Sequence, residues 1–271
     1  MDEATAIKLV QDATNGDEAA LTNLIEKTQH QVYGIAIRML GVPQDSEDAT
    51  QEILLRVITN LARFRGESAY STWVYRIAVN HLINVRNRSI AEKNHNFESF
   101  GASIDGGIAQ FSQQDDPLDD LVSNEVRLSC THGMLLCLSR DERIAFLLGA
   151  ILEYKADEAS SILEVAPSTF RKRLSRARAK LQKFLSVRCG LYDSSLPCRC
   201  AKQAPIAVKN GYLDPKQPIF AQLHLLNGMV AGAEIKEFSD LFDEVKVLET
   251  LPHYAAPGEL TERIKKILNA R

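Results

Sequence analysis

The sequence predicts an all-α protein: two helical domains joined by a flexible acidic linker, with a small, mostly helical extension behind them. Three observations lead there. Ala49, Ile53, Val57 and Leu61 recur every four residues, with Leu54 and Ile58 beside them, which is the apolar stripe of an amphipathic helix. Leu138 to Leu185 carries three successive helical patterns, the last two separated by a tight turn. Residues 97–126 hold seven acids and no base, with Gly101, Gly106, Gly107 and Pro117 among them, a composition suited to a spacer. A length of 271 residues suits two or three domains, and a net charge of −3 favours no class of partner by itself. The apolar runs are short and broken by charge, so neither a membrane span nor a signal peptide is expected, and a cytoplasmic location follows.

Pro43 precedes the first patterned helix, and Asp45 or Ser46 is its expected N-cap. Glu47 and Asp48 complement the helix macrodipole. Gln51 and Glu52 lie beyond the first turn, so Asp48, Gln51 and Glu52 form a compact acidic patch opposite the stripe. Phe64 to Asn80 follows, FRGESAYSTWVYRIAVN, with a turn at Gly66. Trp73, Ile77 and Leu82 are expected to face inward, leaving Tyr70, Ser71, Thr72, Tyr75 and Arg76 near a surface. Exposed aromatic faces stack on unpaired bases at ~1–3 kcal/mol per base, and arginines between them hold phosphates. The plainer alternative is a core helix with a polar rim.

Residues 17–88 resemble region 2 of the sigma-70 family, in its extracytoplasmic-function group (group 4). The resemblance rests on DSEDATQEILLRV followed by FRGESAYSTWVYRIAVNHLIN. It implies that Asp48, Gln51 and Glu52 dock on core RNA polymerase. It also implies that Arg65, Gly66, Glu67, Ser68, Tyr70, Ser71, Trp73, Arg76 and Asn80 bind and melt the −10 promoter element. Asn84 stands where many relatives have Asp, and only Arg86 and Arg88 follow it. The duplex contacts upstream of the melted bases therefore lack the family's full basic set.

In the second patterned region Ser139 is an expected N-cap with Glu142 as its capping-box partner. Ile144, Leu147, Leu148 and Ile151 line that helix. A short helix from Lys155 turns Ala159, Ile162 and Leu163 inward, and Glu164-Val165-Ala166 turns into Pro167, which suits a first helical position. The last helix places Phe170, Leu174, Ala177 and Leu181 on one face. From Val165 to Arg188 the chain has eight Lys or Arg and no acid. A short helix, a tight turn and a basic second helix make a helix-turn-helix, whose second helix enters the major groove. Its first residues meet base edges and its later cations meet phosphates. Ser168, Thr169, Arg171 and Lys172 are thus assigned to the groove, and Arg173, Arg176 and Arg178 to the backbone. The segment resembles sigma region 4, which implies −35 promoter binding. Glu164 stands where relatives usually have Gly, and Ala166 where they often have Ser or another cap.

The expected organisation is region 2 over 1–96, the acidic linker over 97–130, region 4 over 131–188 and a regulatory extension over 189–271. The linker is read either as a solvated spacer or as a strand through the basic interior of the polymerase. The extension holds Cys189, Cys198 and Cys200. Zinc needs four ligands, and the nearest histidine is His224, so a zinc site, a redox-sensitive cluster and inert thiols all stay open. No other cofactor is expected. Cys130 and Cys137 are expected in the core. An apolar segment from Pro218, an acidic stretch from Glu234 to Glu249, and a last helix with Ile264, Ile267 and Leu268 on one face complete the chain. A cysteine-containing tail of this kind resembles extensions of some extracytoplasmic-function sigma factors, which tune activity. The expected partners are core RNA polymerase and promoter DNA, with an anti-sigma protein as a further candidate. A free-standing helix-turn-helix regulator that never joins polymerase is the alternative; it leaves the acidic helix and the aromatic segment idle. No nucleophile triad, phosphate loop or paired metal motif appears, so no enzyme is expected.

Overall fold

The computed structural model describes residues 2–85, 95–111, 120–221, 252 and 254–269, and every regular element among them is a helix. In chain order these are α1 (Glu3–Thr14), α2 (Glu18–Leu40), α3 (Pro43–Thr59), α4 (Tyr70–Asn84), α5 (Phe97–Gln110), α6 (Asp120–Leu136), α7 (Arg140–Phe146), α8 (Ala156–Leu163), α9 (Pro167–Leu185), α10 (Cys200–Lys209) and α11 (Glu259–Asn269). They form two compact units. One gathers Met1–Arg86, Tyr154–Phe170 and Tyr254–Arg271; the other gathers Asn87–Glu153 and Arg171–His253. Arg86, Arg88, His224, the apolar segment beyond Ala221 and the acidic stretch 234–249 lie outside the described residues.

The first unit is organised around α2, α3 and α4. Asp17 caps α2 by accepting from the amides of Ala19 and Ala20 at 2.9 and 3.0 Å. Gly41 ends the helix in the left-handed region, at φ 71°. The next helix then begins at Pro43, earlier than an Asp45 or Ser46 cap allows, because proline supplies a preset φ at the first helical position. Ser46 instead lies inside α3 and donates to the Val42 carbonyl at 2.6 Å. The predicted stripe is the core face: Ala49, Ile53, Leu54, Val57 and Leu61 are all buried, with Ile58 at its edge. α1 closes over the start of α4, where the Glu3 carboxylate accepts from the Tyr70 amide at 2.9 Å.

α8 belongs to this unit and buries Ala159, Ile162 and Leu163, as its pattern predicts. It touches α4 through Arg76, which donates to the Ser161 hydroxyl at 2.9 Å, and Tyr154 just before it forms an edge-to-face pair with Tyr75 at 5.7 Å between centroids. Glu164 then adopts the left-handed conformation (φ 53°, ψ 42°) that glycine serves more easily, and Pro167 opens α9.

Over the described residues 97–111 and 120–130, the second unit corrects the reading of 97–130 as a flexible linker; residues 112–119, with Pro117, lie outside the described residues. Its first part is helix α5, capped by Asn96, whose side chain accepts from the Ser99 amide at 2.8 Å. The residues from Asp120 onward belong to α6. Phe97 and Phe100 pack on Phe184 at 5.4 and 5.6 Å. Two glycines that suggested a spacer instead permit close approach: a Cβ at Gly101 would lie 2.8 Å from the Arg188 guanidinium, and one at Gly107 would meet Gln203. Arg188 pairs with Asp105 at 3.2 Å, and Gln203 donates to the Ile104 carbonyl at 3.0 Å. The capping box at the start of α7 is present: the Ser139 hydroxyl and Glu142 serve each other's backbone amides. Beyond Phe146 the helix widens, so that the Leu152 amide reaches the Leu147 carbonyl at 2.9 Å. Buried Arg143 fills the end of α6, donating to the carbonyls of Leu135, Leu136 and Leu138 at 2.8, 3.0 and 3.1 Å.

Candidate nucleic-acid and protein interfaces

The acidic patch is set by the rotation of α3. With Ile53 and Val57 inward, Asp48 and Glu52 project to solvent, and Gln51 is half-buried between them. Glu52 lies 3.9 Å from Arg56 and 3.8 Å from His81 on α4. Burial lowers the His81 pKa, and Arg56 adds to this against the pull of Glu52, so at neutral pH the His81 contact is not an ion pair. Glu47 shifts the other way: burial raises its pKa, although Arg263 opposes it. Arg263 of α11 stands 3.6 Å from Glu47 and 3.7 Å from Asp48. That cation was not singled out in the sequence. The helical pattern of 260–268 is legible, but nothing local names the surface it lies on.

The aromatic segment divides differently from its prediction. Arg65, Gly66 and Glu67 form an exposed turn, with Gly66 at φ 71° and Ser68 half-buried beside it. Tyr70, however, is only 2% exposed, and its hydroxyl meets Thr28 at 3.1 Å. Burial pushes its pKa up to about 12. Thr72 and Tyr75 are buried as well. The expectation that Tyr70, Thr72 and Tyr75 lie near a surface, with Tyr70 free to stack on a base, is therefore corrected. The helix turns these residues inward beside Val74, Ala78 and Leu82, which fill the core, and the Tyr70 hydroxyl finds a partner there in Thr28. Trp73, expected inward, is half-exposed at the edge of a cluster with Phe64 and Tyr70, at 5.5 and 6.0 Å. Ser71 is half-buried, Asn80 is exposed, and Arg76 is engaged by Ser161.

On α9, Ser168, Arg171, Lys172, Arg176 and Arg178 are exposed and Thr169 is half-buried. Arg173 stands apart, because its guanidinium is held by Asp141 of α7 at 2.8 Å. Lys180 pairs with Glu142 at 2.7 Å. Burial raises the Glu142 pKa, but its hydrogen bonds from Lys180 and Ser139 outweigh that and leave it below its ordinary value.

The cysteines lie in the second unit. Gly190 donates to the Cys198 carbonyl at 3.1 Å, and a Cβ at Gly190 would stand 2.3 Å from that oxygen, so the turn requires glycine. Arg199 ties the loop by donating to the carbonyls of Ser194, Leu196 and Cys198. Cys130 of α6 is half-buried, and desolvation of its thiol raises its pKa strongly, with the neighbouring Cys200, Cys189 and Cys198 raising it further. Cys200 is pushed up to about 11, chiefly by burial. Among the described residues no group of three or more His, Cys, Asp or Glu side chains is placed to hold a metal ion. Among the described residues no helix is long and apolar enough to cross a membrane.

These surfaces coincide with segments shared by known proteins. Residues 24–89 match the family described as Sigma-70 region 2, and residues 128–181 match Sigma-70, region 4. The RNA polymerase sigma-H factor of Pseudomonas aeruginosa is 29% identical over 184 residues, covering 66% of this chain and 92% of that protein. The ECF RNA polymerase sigma-E factor of Escherichia coli K12 is 30% identical over 175 residues, covering 63% of this chain and 88% of that protein. Among solved structures, that of CnrH in complex with the cytosolic domain of CnrY aligns with a TM-score of 0.44 and 21% identity, over 67% of this chain and 97% of that one.

Proposed function

Because this chain belongs to the extracytoplasmic-function group of the sigma-70 family, we propose that it directs promoter-specific initiation by core RNA polymerase through three surfaces. Asp48, Gln51 and Glu52 of α3 dock on the core enzyme. The turn of Arg65, Gly66, Glu67 and Ser68, with Ser71, Trp73 and Asn80, meets the separated −10 strand. The exposed face of α9 grips −35: Ser168, Thr169, Arg171 and Lys172 approach base edges, and Arg176 and Arg178 approach phosphates. The chemistry demanded of the protein is binding and strand separation, and no bond is made or broken by its side chains.

The observation that carries this reading is the division of labour between α3 and α9. One chain displays carboxylates on an exposed helix face in the segment matching region 2 and exposed cations on another in the segment matching region 4. Acids repel DNA and suit a basic protein partner, whereas the cations of α9 suit phosphates. A free-standing repressor has no use for the first. The test is run-off transcription with purified core RNA polymerase on sheared DNA of the source organism. Specific transcripts that appear only when the protein is added are expected. Sequence-specific DNA binding without any transcript would favour the free-standing regulator.

A further inference from the structure

Residues 254–268 lie outside both matched family segments, yet they are built into the unit that carries α3. Tyr254, Ala255, Ala256, Leu260 and Ile264 are buried, and Ile264 is 0% exposed. The Tyr254 ring lies under the Arg38 guanidinium at 5.2 Å. The Ala256 amide donates to His30 Nδ1 at 3.1 Å, and the Thr261 hydroxyl donates to Gln29 Oε1 at 3.0 Å. Past these α2 contacts, α11 reaches α3, where Arg263 approaches Glu47 and Asp48.

We propose that α11 and the residues leading into it are a built-in competitor for the N-terminal end of the acidic face of α3, where Glu47 and Asp48 lie, and that they weaken its docking on core RNA polymerase until displaced. The proposal rests on the reading of α3 as the docking helix. A basic partner would be drawn to the carboxylates of Glu47, Asp48 and Glu52, and Arg263 already offers such a cation to two of them. Asp48 cannot serve both. The grip is graded: a few apolar side chains fix α11 against α2, while its ion pairs are long and solvent-screened. Tethering supplies the rest, because a segment of the same chain acts at high effective concentration however weak its contacts. Such an occupant is strong enough to compete and weak enough to be displaced.

The test compares the full chain with Ile264→Asp and Arg263→Glu, reading hydrogen exchange across α2 and α3 together with affinity for purified core RNA polymerase. Ile264→Asp places a charge where no water enters, and Arg263→Glu turns attraction into repulsion at an exposed position that folding does not need. With the undocked state at roughly 1–10% in the native chain, both variants are expected to raise exchange and tighten core binding about 10- to 100-fold. Raised exchange with unchanged or weaker affinity would overturn the proposal, as would exchange that rises in neither variant. If the native chain and both variants alike fail to bind core polymerase, the docking role of α3 falls, and the competitor with it. Equal, measurable binding by all three sinks only the competitor.

Discussion

Tyr70 shows how a single hydroxyl decides what a residue is for. In the sequence it stands among aromatics and arginines, and a half-polar ring there reads as a platform for a base. In the fold its ring packs edge-on to Phe64, at 5.6 Å, and its hydroxyl reaches Thr28 across the core. An interior polar tip without a partner costs free energy, so a partner favours burial. Thr28, 42 residues away in sequence, is that partner, and no local pattern announces it. Tyr70→Phe keeps the ring and removes the bond, so it is expected to destabilise the first unit by about 1 kcal/mol. Its affinity for a single-stranded −10 oligonucleotide, presented with core polymerase, should stay unchanged. Urea unfolding and fluorescence anisotropy check the two halves, and a lost oligonucleotide affinity at unchanged stability would return Tyr70 to the DNA surface. Trp73, half-exposed beside Phe64, is the residue to which the proposed stacking role then falls.

At the scale of elements, legibility follows how local the determining signal is. α3 and α9 were readable because a four-residue apolar recurrence and a cap or proline at the start are sufficient to specify a helix and its inward face. The rotation of α4 was not, because its aromatic and polar residues fill both faces and the choice rests on distant partners such as Glu3 and Thr28. α5 reads as linker in the sequence for a related reason: acids and glycines describe a spacer in isolation, and the Arg188 and Gln203 side chains that need those glycines lie far along the chain. Within α9 the same limit applies to single cations. Arg173 and Arg176 look equivalent in sequence, yet Asp141 holds the first and the second is exposed. Each phosphate contact contributes about 0.9 to the slope of log affinity against log salt. Arg176→Ala is therefore expected to make the slope for a −35 duplex shallower by about 0.9. Arg173→Ala should leave the slope unchanged. Equal changes from both would mean that DNA displaces Arg173 from Asp141.

For the whole molecule, the consequential fact is that the unit carrying α3 and α4 is assembled from chain segments far apart in sequence, including α8 and α11. Whatever loosens the α3–α4 packing loosens the platform on which the later segments rest. His81 sits in that packing, 7% exposed, facing Arg56 and Glu52 of α3. Burial first, then Arg56, hold its pKa below 6.5, its ordinary value and that of the unfolded chain. The sign of the pH effect follows. Well above 6.5 the ring is neutral in both folded and unfolded chains, and this stability is present in full. As pH falls below 6.5 the unfolded chain takes up a proton that the folded one resists, and stability is lost down through the folded pKa. Once the intrinsic slowing of amide exchange on acidification is removed, α3 and α4 are thus expected to show excess exchange that grows from pH 7.5 to 5.5. His81→Gln, which cannot charge, should flatten the excess. Because α11 rests on the same platform, its amides should lose protection in parallel with those of α3. An excess that persists in His81→Gln would assign the acid sensitivity to another group, with His30 at the α11 approach the first to examine, since burial lowers its pKa too and its Nδ1 can accept from Ala256 only while unprotonated.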